Sequence, residues 1–222
     1  MRLSSHAPFP GRFITFEGID GSGKSTQLAA LARVLIARGL PVVTTREPGG
    51  TPVGDAIRNV VLEAAIPGMS ARAELLLYLA SRVEHVERLI RPALAQGSLV
   101  LCDRFSEATL AYQSYGRGIP MEEIASLVAF GARGVEPDLV VLLDLPAEDG
   151  LARVRERRAA NRLDREALAF HQRVRDGYLA LAAQAPRRFK IFDARLSVAA
   201  LQRAILEAVE PLCAVVTSGS RA

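Results

Sequence analysis

Nine consecutive residues carry the first chemical signal: Gly18, Ile19, Asp20, Gly21, Ser22, Gly23, Lys24, Ser25 and Thr26 stand in the order G-x-x-x-x-G-K-[ST]. Glycines let successive backbone N–H groups turn inward around phosphate oxygens. Lys24 then reaches the β- and γ-phosphates of a nucleoside triphosphate, and the Ser25 hydroxyl is placed to ligate Mg²⁺. A flexible loop with an incidental lysine would lack the context found here. An apolar β-rich run (12–17) precedes the motif and a helical pattern opens at Lys24, bringing the positive end of a helix dipole to the same place.

Motors, GTPases, ATPases and kinases share such a loop, so a second substrate must be read elsewhere. Thr45-Arg46-Glu47-Pro48-Gly49-Gly50-Thr51 follows a second apolar run and puts Arg46 at a strand's carboxyl end, where ligands of open α/β sheets bind; an ordinary turn with a solvated Arg gives the same pattern. Tyr78 and Arg82, four residues apart on a helical stretch, share one face. There a ring can stack on a nucleobase while a guanidinium donates to a carbonyl, although a core Tyr beside a surface Arg has the same spacing. Cys102-Asp103-Arg104-Phe105 ends a third apolar run and leads to Thr109, Tyr112 and Gln113 on one helix. Asp103 is placed to hold Mg²⁺ water and Arg104 to clamp a phosphate, with a surface ion pair as the alternative. Finally, Arg153, Arg155, Arg157, Arg158, Arg162 and Arg165 crowd one segment. Like charges at this density suit a mobile lid over phosphates or else a solvated basic helix face.

These groups need a scaffold, and the pattern of the chain supplies one. Apolar runs at 12–17, 41–45, 98–102, 138–143 and 188–192 read as strands covered on both faces, and helical patterns occupy 24–38, 51–63, 71–95, 106–115, 121–131, 147–158, 166–185 and 196–212. The fold expected is α/β, an open five-stranded parallel sheet of the P-loop NTPase type, flanked by helices and carrying a basic lid. At 222 residues, half of them hydrophobic, a single domain over 12–213 is expected, with residues 153–166 as lid, a loose leader at 1–11 and a frayed tail at 214–222. No apolar run is long enough to span a bilayer and no signal-like segment opens the chain, so a soluble cytoplasmic protein is expected. Cys102 and Cys213 are too few and too far apart for a disulfide framework. The net charge of +4 comes with arginines gathered where a lid belongs, which argues against a nucleic-acid surface. His6, His85 and His171 have no partners at metal or triad spacing and receive no role.

Taken together, these segments resemble the bacterial thymidylate kinase family over residues 13–194. The residues that carry the resemblance are 16–27, 45–51, Tyr78 with Arg82, Asp103-Arg104-Phe105, Ala111-Tyr112-Gln113, Gly116-Arg117-Gly118, Pro137-Asp138 and Leu163-Asp164-Arg165. The resemblance implies transfer of the γ-phosphate of ATP to dTMP with Mg²⁺, in a homodimer. It places Gly18, Ile19, Asp20, Gly21, Ser22, Gly23, Lys24, Ser25, Thr26 and Arg153 on ATP, and Ser25 and Asp103 at the metal. It also implies that Arg46 and Arg104 hold the acceptor phosphate, Tyr78 stacks on thymine, Arg82 donates to O4 and Thr109 meets the N3 edge. Gln113 joins that pocket, Tyr112 crowds the sugar's 2′ position, and Asp20 approaches its 3′-hydroxyl side. The family more often has Phe where Tyr78 stands and Tyr where Phe105 stands, and this chain is a few residues shorter after Arg165. No Arg or Lys lies between Asp20 and Lys24, a pattern similar to the branch whose catalytic cation comes from the lid.

Overall fold

Runs rich in Val, Leu and Phe form five parallel strands: β1 (Arg12–Glu17), β2 (Val42–Arg46), β3 (Leu99–Asp103), β4 (Leu139–Asp144) and β5 (Phe189–Asp193), in spatial order β2-β3-β1-β4-β5. The computed structural model describes residues 9–62, 68–157 and 161–219. The first strand has its expected bounds, and the other four each sit one residue further along. The polar residue that closes each apolar run, Arg46, Asp103, Asp144 or Asp193, stays in the ladder, where Arg46 pairs with Asp103 and Asp144 with Asp193. Backbone pairing continues past the last apolar side chain because a strand's end lets a polar side chain leave the layer. β1, β3 and β4 are buried on both faces as expected, whereas β2 and β5, apart from buried Phe189, have only partly covered or exposed positions because they are the sheet's edges.

The helices are α1 (Lys24–Ala37), α2 (Pro52–Leu62), α3 (Ala71–His85), α4 (Arg91–Ala95), α5 (Ser106–Thr109), α6 (Met121–Ala132), α7 (Ala147–Arg157), α8 (Leu168–Gln184) and α9 (Val198–Gly219). Where one helix was expected over 71–95, a π-helical turn at Val86–Ile90 joins α3 to α4, and the stretch expected at 106–115 turns π-helical over Leu110–Gly116. Apolar periodicity does not register one widened turn. A 3₁₀ turn at Leu163–Arg165 and extended Glu166 delay α8 to Leu168. α9 continues through Pro211 to Gly219, so the expected tail is helical up to that point. Residues 9–11 of the expected leader join the fold: the Gly11 N–H donates to Leu94 O at 3.0 Å and Arg91 covers the Phe9 ring. Residues 1–8 and 220–222, with Glu63 at the expected end of α2, lie outside the described residues.

Successive strand residues point to opposite faces, which splits the core. Ile14, Phe16 and Leu101 pack with α1, α8 and α9, while Phe13, Val100, Cys102 and Phe105 pack with α4 and its preceding turn. Each such side chain contributes about 1.5–3 kcal/mol of burial free energy. A third cluster, Leu75, Leu79, Ile119, Ile124 and Val128, fastens α3 to α6. Both cysteines are buried free thiols. Among the described residues no helix is long and apolar enough to cross a membrane.

Glu17, fully buried at the carboxyl end of β1, accepts hydrogen bonds from the Phe105 N–H at 2.6 Å and the Tyr178 hydroxyl at 2.8 Å. Burial, and then the Glu107 carboxyl nearby, push its pKa up from 4.5 to about 8. The folded chain therefore keeps this proton where the unfolded chain has lost it. Its contribution to stability is complete below about pH 4.5 and drains away as the pH climbs to about 8. Glu17→Gln stays neutral throughout, so its melting temperature should fall less than that of the unsubstituted chain between about pH 5 and pH 8. Parallel thermal melts check this, and superimposable slopes would contradict it.

Candidate active site

The loop after β1 owes its shape to glycine: φ is 132° at Gly18, 82° at Gly21 and 94° at Gly23, a region that side chains rarely permit. A Cβ on Gly18 would lie 2.4 Å from Leu143 O. Lys24, buried at the start of α1, donates to the carbonyls of Gly18 at 3.1 Å and Ile19 at 2.8 Å. Burial, with Arg104 adding to it, lowers its pKa from 10.5 to about 8. The Ser25 hydroxyl donates to Asp103 Oδ2 at 2.6 Å, tying the loop to the end of β3. Asp20, Gly21, Gly23, Lys24, Ser25, Thr26, Arg46, Asp103 and Arg104 all line one cavity here. Gly18, Ile19 and Ser22 shape the loop from outside that lining.

A second cavity adjoins the first, lined by Tyr78 and Arg82 of α3, Thr109 of α5, Tyr112 and Gln113 of the π-helical turn, and Asn161 and Leu163. Arg82 is buried; its Nε donates to Glu47 Oε2 and its Nη2 to Phe105 O, each at 2.8 Å. Nη1 has no protein partner although it is buried, which leaves a donor for an acceptor atom in the cavity. Burial holds the Tyr78 phenol well above its ordinary pKa, so the ring is neutral.

Asp20, Glu47, Arg58 and Arg104 line both cavities and form the wall between them. Arg104 has φ 75°, uncommon for a non-glycine residue, and its side chain bends back to the loop after β1. Its Nη1 donates to Gly18 O at 3.0 Å and Tyr178 Oη at 3.1 Å, and its Nη2 to Asp20 Oδ1 and Tyr112 Oη, each at 3.0 Å. The Tyr112 hydroxyl donates in turn to Asp20 Oδ2 at 3.0 Å. Burial works against the Asp20 charge, but Arg104 and then Lys24 outweigh it and hold the carboxyl well below the usual range. Arg46 stands half-exposed at the rim, 3.3 Å from Asp55.

The arginines of the segment expected as a lid do not converge. Arg153 donates to Ala194 O at 3.1 Å and Gly21 O at 3.4 Å and lines neither cavity, whereas its segment contributes Val154 to the first cavity and Asn161 and Leu163 to the second. Arg162 turns to Glu74 and to Val61 O instead, Arg155 and Arg165 are exposed, and the side chains of Arg157 and Arg158 lie outside the described residues. Sequence reasoning missed Arg58, which donates to Pro48 O at 2.9 Å and has no local signal beyond its place on α2. It also missed Glu47, which does lie in the 45–51 run. His85, given no role from sequence, is fully buried: its Nδ1 lies 3.0 Å from Glu47 Oε1 and its Nε2 2.6 Å from Thr45 Oγ1. It stands three residues after Arg82, so one helix face presents both groups to Glu47. His171 is also buried, and His6 lies outside the described residues.

Residues 16–205 match the family model for thymidylate kinase. The thymidylate kinase of Trichlorobacter lovleyi is 54% identical over 203 residues, covering 89% of this chain and 96% of the relative. That of Pelotomaculum thermopropionicum is 48% identical over 214 residues, 96% of this chain and 99% of the relative. The crystal structure of thymidylate kinase from Ehrlichia chaffeensis superposes with a TM-score of 0.74 at 32% identity, covering 90% of this chain and 98% of that one. With the family model matched over residues 16–205 and these relatives in agreement along nearly the full length, the chain belongs to the thymidylate kinase family and is an ATP-dependent phosphotransferase acting on dTMP.

Proposed function

We propose that ATP lies along the loop of residues 18–26, that dTMP fills the cavity under Tyr78, and that their phosphates meet at the shared wall. The observation supporting this is that Asp20, Arg58 and Arg104 line both cavities, so groups bound in each approach one set of charges. In this reading the loop N–H groups and Lys24 hold the β- and γ-phosphates, while Arg46 and Arg104 hold the acceptor phosphate. Tyr78 stacks on thymine, Arg82 Nη1 donates to O4, and Thr109 and Gln113 face the N3 edge. Tyr112 crowds the 2′ position and Asp20 faces the 3′-hydroxyl side. Arg153 braces the loop from the lid side.

The chemistry needs no general base, because the second pKa of a phosphate monoester is about 6 and the attacking oxygen is already anionic at neutral pH. The barrier is electrostatic: two polyanions must be aligned while charge builds on the oxygens of the moving group. Lys24 and the arginines supply fixed positive charge that needs no rearrangement as the reaction proceeds. Ser25 Oγ and Asp103 Oδ2, 2.6 Å apart, are hard oxygen donors of the kind Mg²⁺ takes when phosphates and water complete its shell. Among the described residues no group of three or more His, Cys, Asp or Glu offers a denser metal site. When bound with ATP, Mg²⁺ neutralises phosphate oxygens.

We further infer that residues 12–213 act as one kinase unit with 153–166 as lid, working in the cytoplasm as a homodimer. Support for the dimer comes from exposed apolar side chains on three neighbouring helices, Val53 and Val60 on α2, Leu76 on α3, and Leu127 and Phe130 on α6.

Among dTMP, dUMP, UMP, CMP, AMP and GMP offered with ATP and Mg²⁺, dTMP should give the fastest ADP production; a faster ribonucleotide would overturn the pocket assignment. Arg153→Ala should lower kcat by about tenfold or more with a smaller change in the KM for ATP, read in steady-state assays. Leu76→Glu should shift the chain from dimer to monomer in sedimentation, and a dimer of undiminished affinity would exclude this face.

A further inference from the structure

Glu74 is fully buried on α3, four residues before Tyr78 and eight before Arg82, and it lies outside both cavity linings. Four hydrogen bonds converge on it. Oε1 accepts from Gln113 Nε2 at 2.8 Å and Arg117 Nε at 3.1 Å; Oε2 accepts from Arg117 Nη2 at 3.0 Å and from Arg162 Nη2. Burial alone would raise its pKa, but the hydrogen bonds from Arg117, Gln113 and Arg162 overcome this and keep it below the ordinary value. It is therefore an anion, and an anionic carboxylate can only accept.

Two consequences follow for the acceptor pocket. Gln113 must turn its NH₂ end to Glu74, which leaves the carbonyl Oε1 as the free end of a side chain that lines the pocket. Arg162, meanwhile, comes from the lid and carries Asn161 and Leu163 on either side, both lining the same pocket. Arg162 also donates through Nε to Val61 O at 2.9 Å, and Arg117 reaches past Glu74 to Glu166 at 2.6 Å, so the lid's second half is tied at two points. Asn161 and Asp164 brace the turn between by exchanging backbone-to-side-chain hydrogen bonds at 2.8 and 3.0 Å.

The geometry points to Glu74 as a positioning residue of the acceptor pocket: one carboxylate fixes which end of the Gln113 carboxamide the base meets, and fastens the lid residues Asn161 and Leu163 over that base. This rests on the reading that the pocket takes dTMP. A fixed carbonyl end suits a ring nitrogen that carries hydrogen, as N3 of thymine does, and opposes one with a lone pair, as N3 of cytosine has.

Glu74→Gln keeps the volume, removes the charge and lets either amide end face Gln113. Its KM for dTMP should rise by about tenfold or more, the scale of a lost charged hydrogen bond, with the KM for ATP within about twofold. The preference in kcat/KM for dTMP over dCMP should fall by about tenfold. A purely structural role would lower the melting temperature and leave the preference and both KM values in place, which overturns the proposal. Arg162→Ala, which spares Gln113, should raise the KM for dTMP while keeping the preference, and Arg162→Lys should restore part of the loss; an unmoved KM in Arg162→Ala also overturns it. Should Glu74→Gln fail to fold, the Arg162 pair still decides. If the unsubstituted chain leaves dTMP untouched, the pocket reading itself falls, whereas activity on dTMP with unmoved variants removes the positioning role alone.

Discussion

Everything at this site depends on holding positive charges close together before they are useful. Lys24, Arg46, Arg58 and Arg104 gather at one end of the sheet, and burial, with repulsion from Arg104 added to it, depresses the pKa of Lys24. The structure offsets it with fixed acceptors rather than with mobile counterions. Asp20 stands against Arg104, and the carbonyls of Gly18 and Ile19 receive Lys24. These are partners that an incoming phosphate can supplement or displace without moving the backbone. A cluster of this kind is preorganised for charge that develops late.

Rigid elements deliver each of those groups. The parallel register sets Arg46 beside Asp103 and Asp103 beside Phe16, so the ends of three adjacent strands share one layer. Behind that layer lie two buried ionisable groups, Glu17 and His85, that line neither of the two adjoining cavities. Glu17 holds the Tyr178 hydroxyl that receives Arg104, and His85 with Thr45 steadies the Glu47 that holds Arg82. Low dielectric makes each of these contacts strong when paired and costly when broken, which keeps the guanidiniums in single orientations.

Much of this was legible in the residues alone, and the limits have physical causes. The loop 18–26, the strand order of charges at 46 and 103–104, and the pairing of Tyr78 with Arg82 depend on short-range spacing, which a single sequence displays. All of these groups line one of the two adjoining cavities apart from Gly18, Ile19 and Ser22, which shape the loop. Glu17, Glu74 and His85 received no role because their partners are 38 to 161 positions away, for example Glu47 with His85, Gln113 with Glu74 and Tyr178 with Glu17. The arginine-rich segment misled differently. Its density suggested a common target, but Arg153 donates to Gly21 O and Ala194 O whereas Arg162 donates to Val61 O and Glu74. The strands at the sheet's edges were read as fully covered because apolar content does not distinguish a central strand from a lateral one.

The widened turn at Leu110–Gly116 has an implication for how this chain tolerates change in length. Arg117 N–H reaches back five residues to Tyr112 O at 2.9 Å, the signature of one residue more than an ordinary turn holds. Deleting a single position there would relax the backbone into regular α geometry, a locally favourable edit. It would also rotate the side chains that close the turn by about 100° around the axis, carrying Arg117 away from Glu74 and Glu166. Sequence drift can thus exchange letters within this turn far more freely than it can change their number.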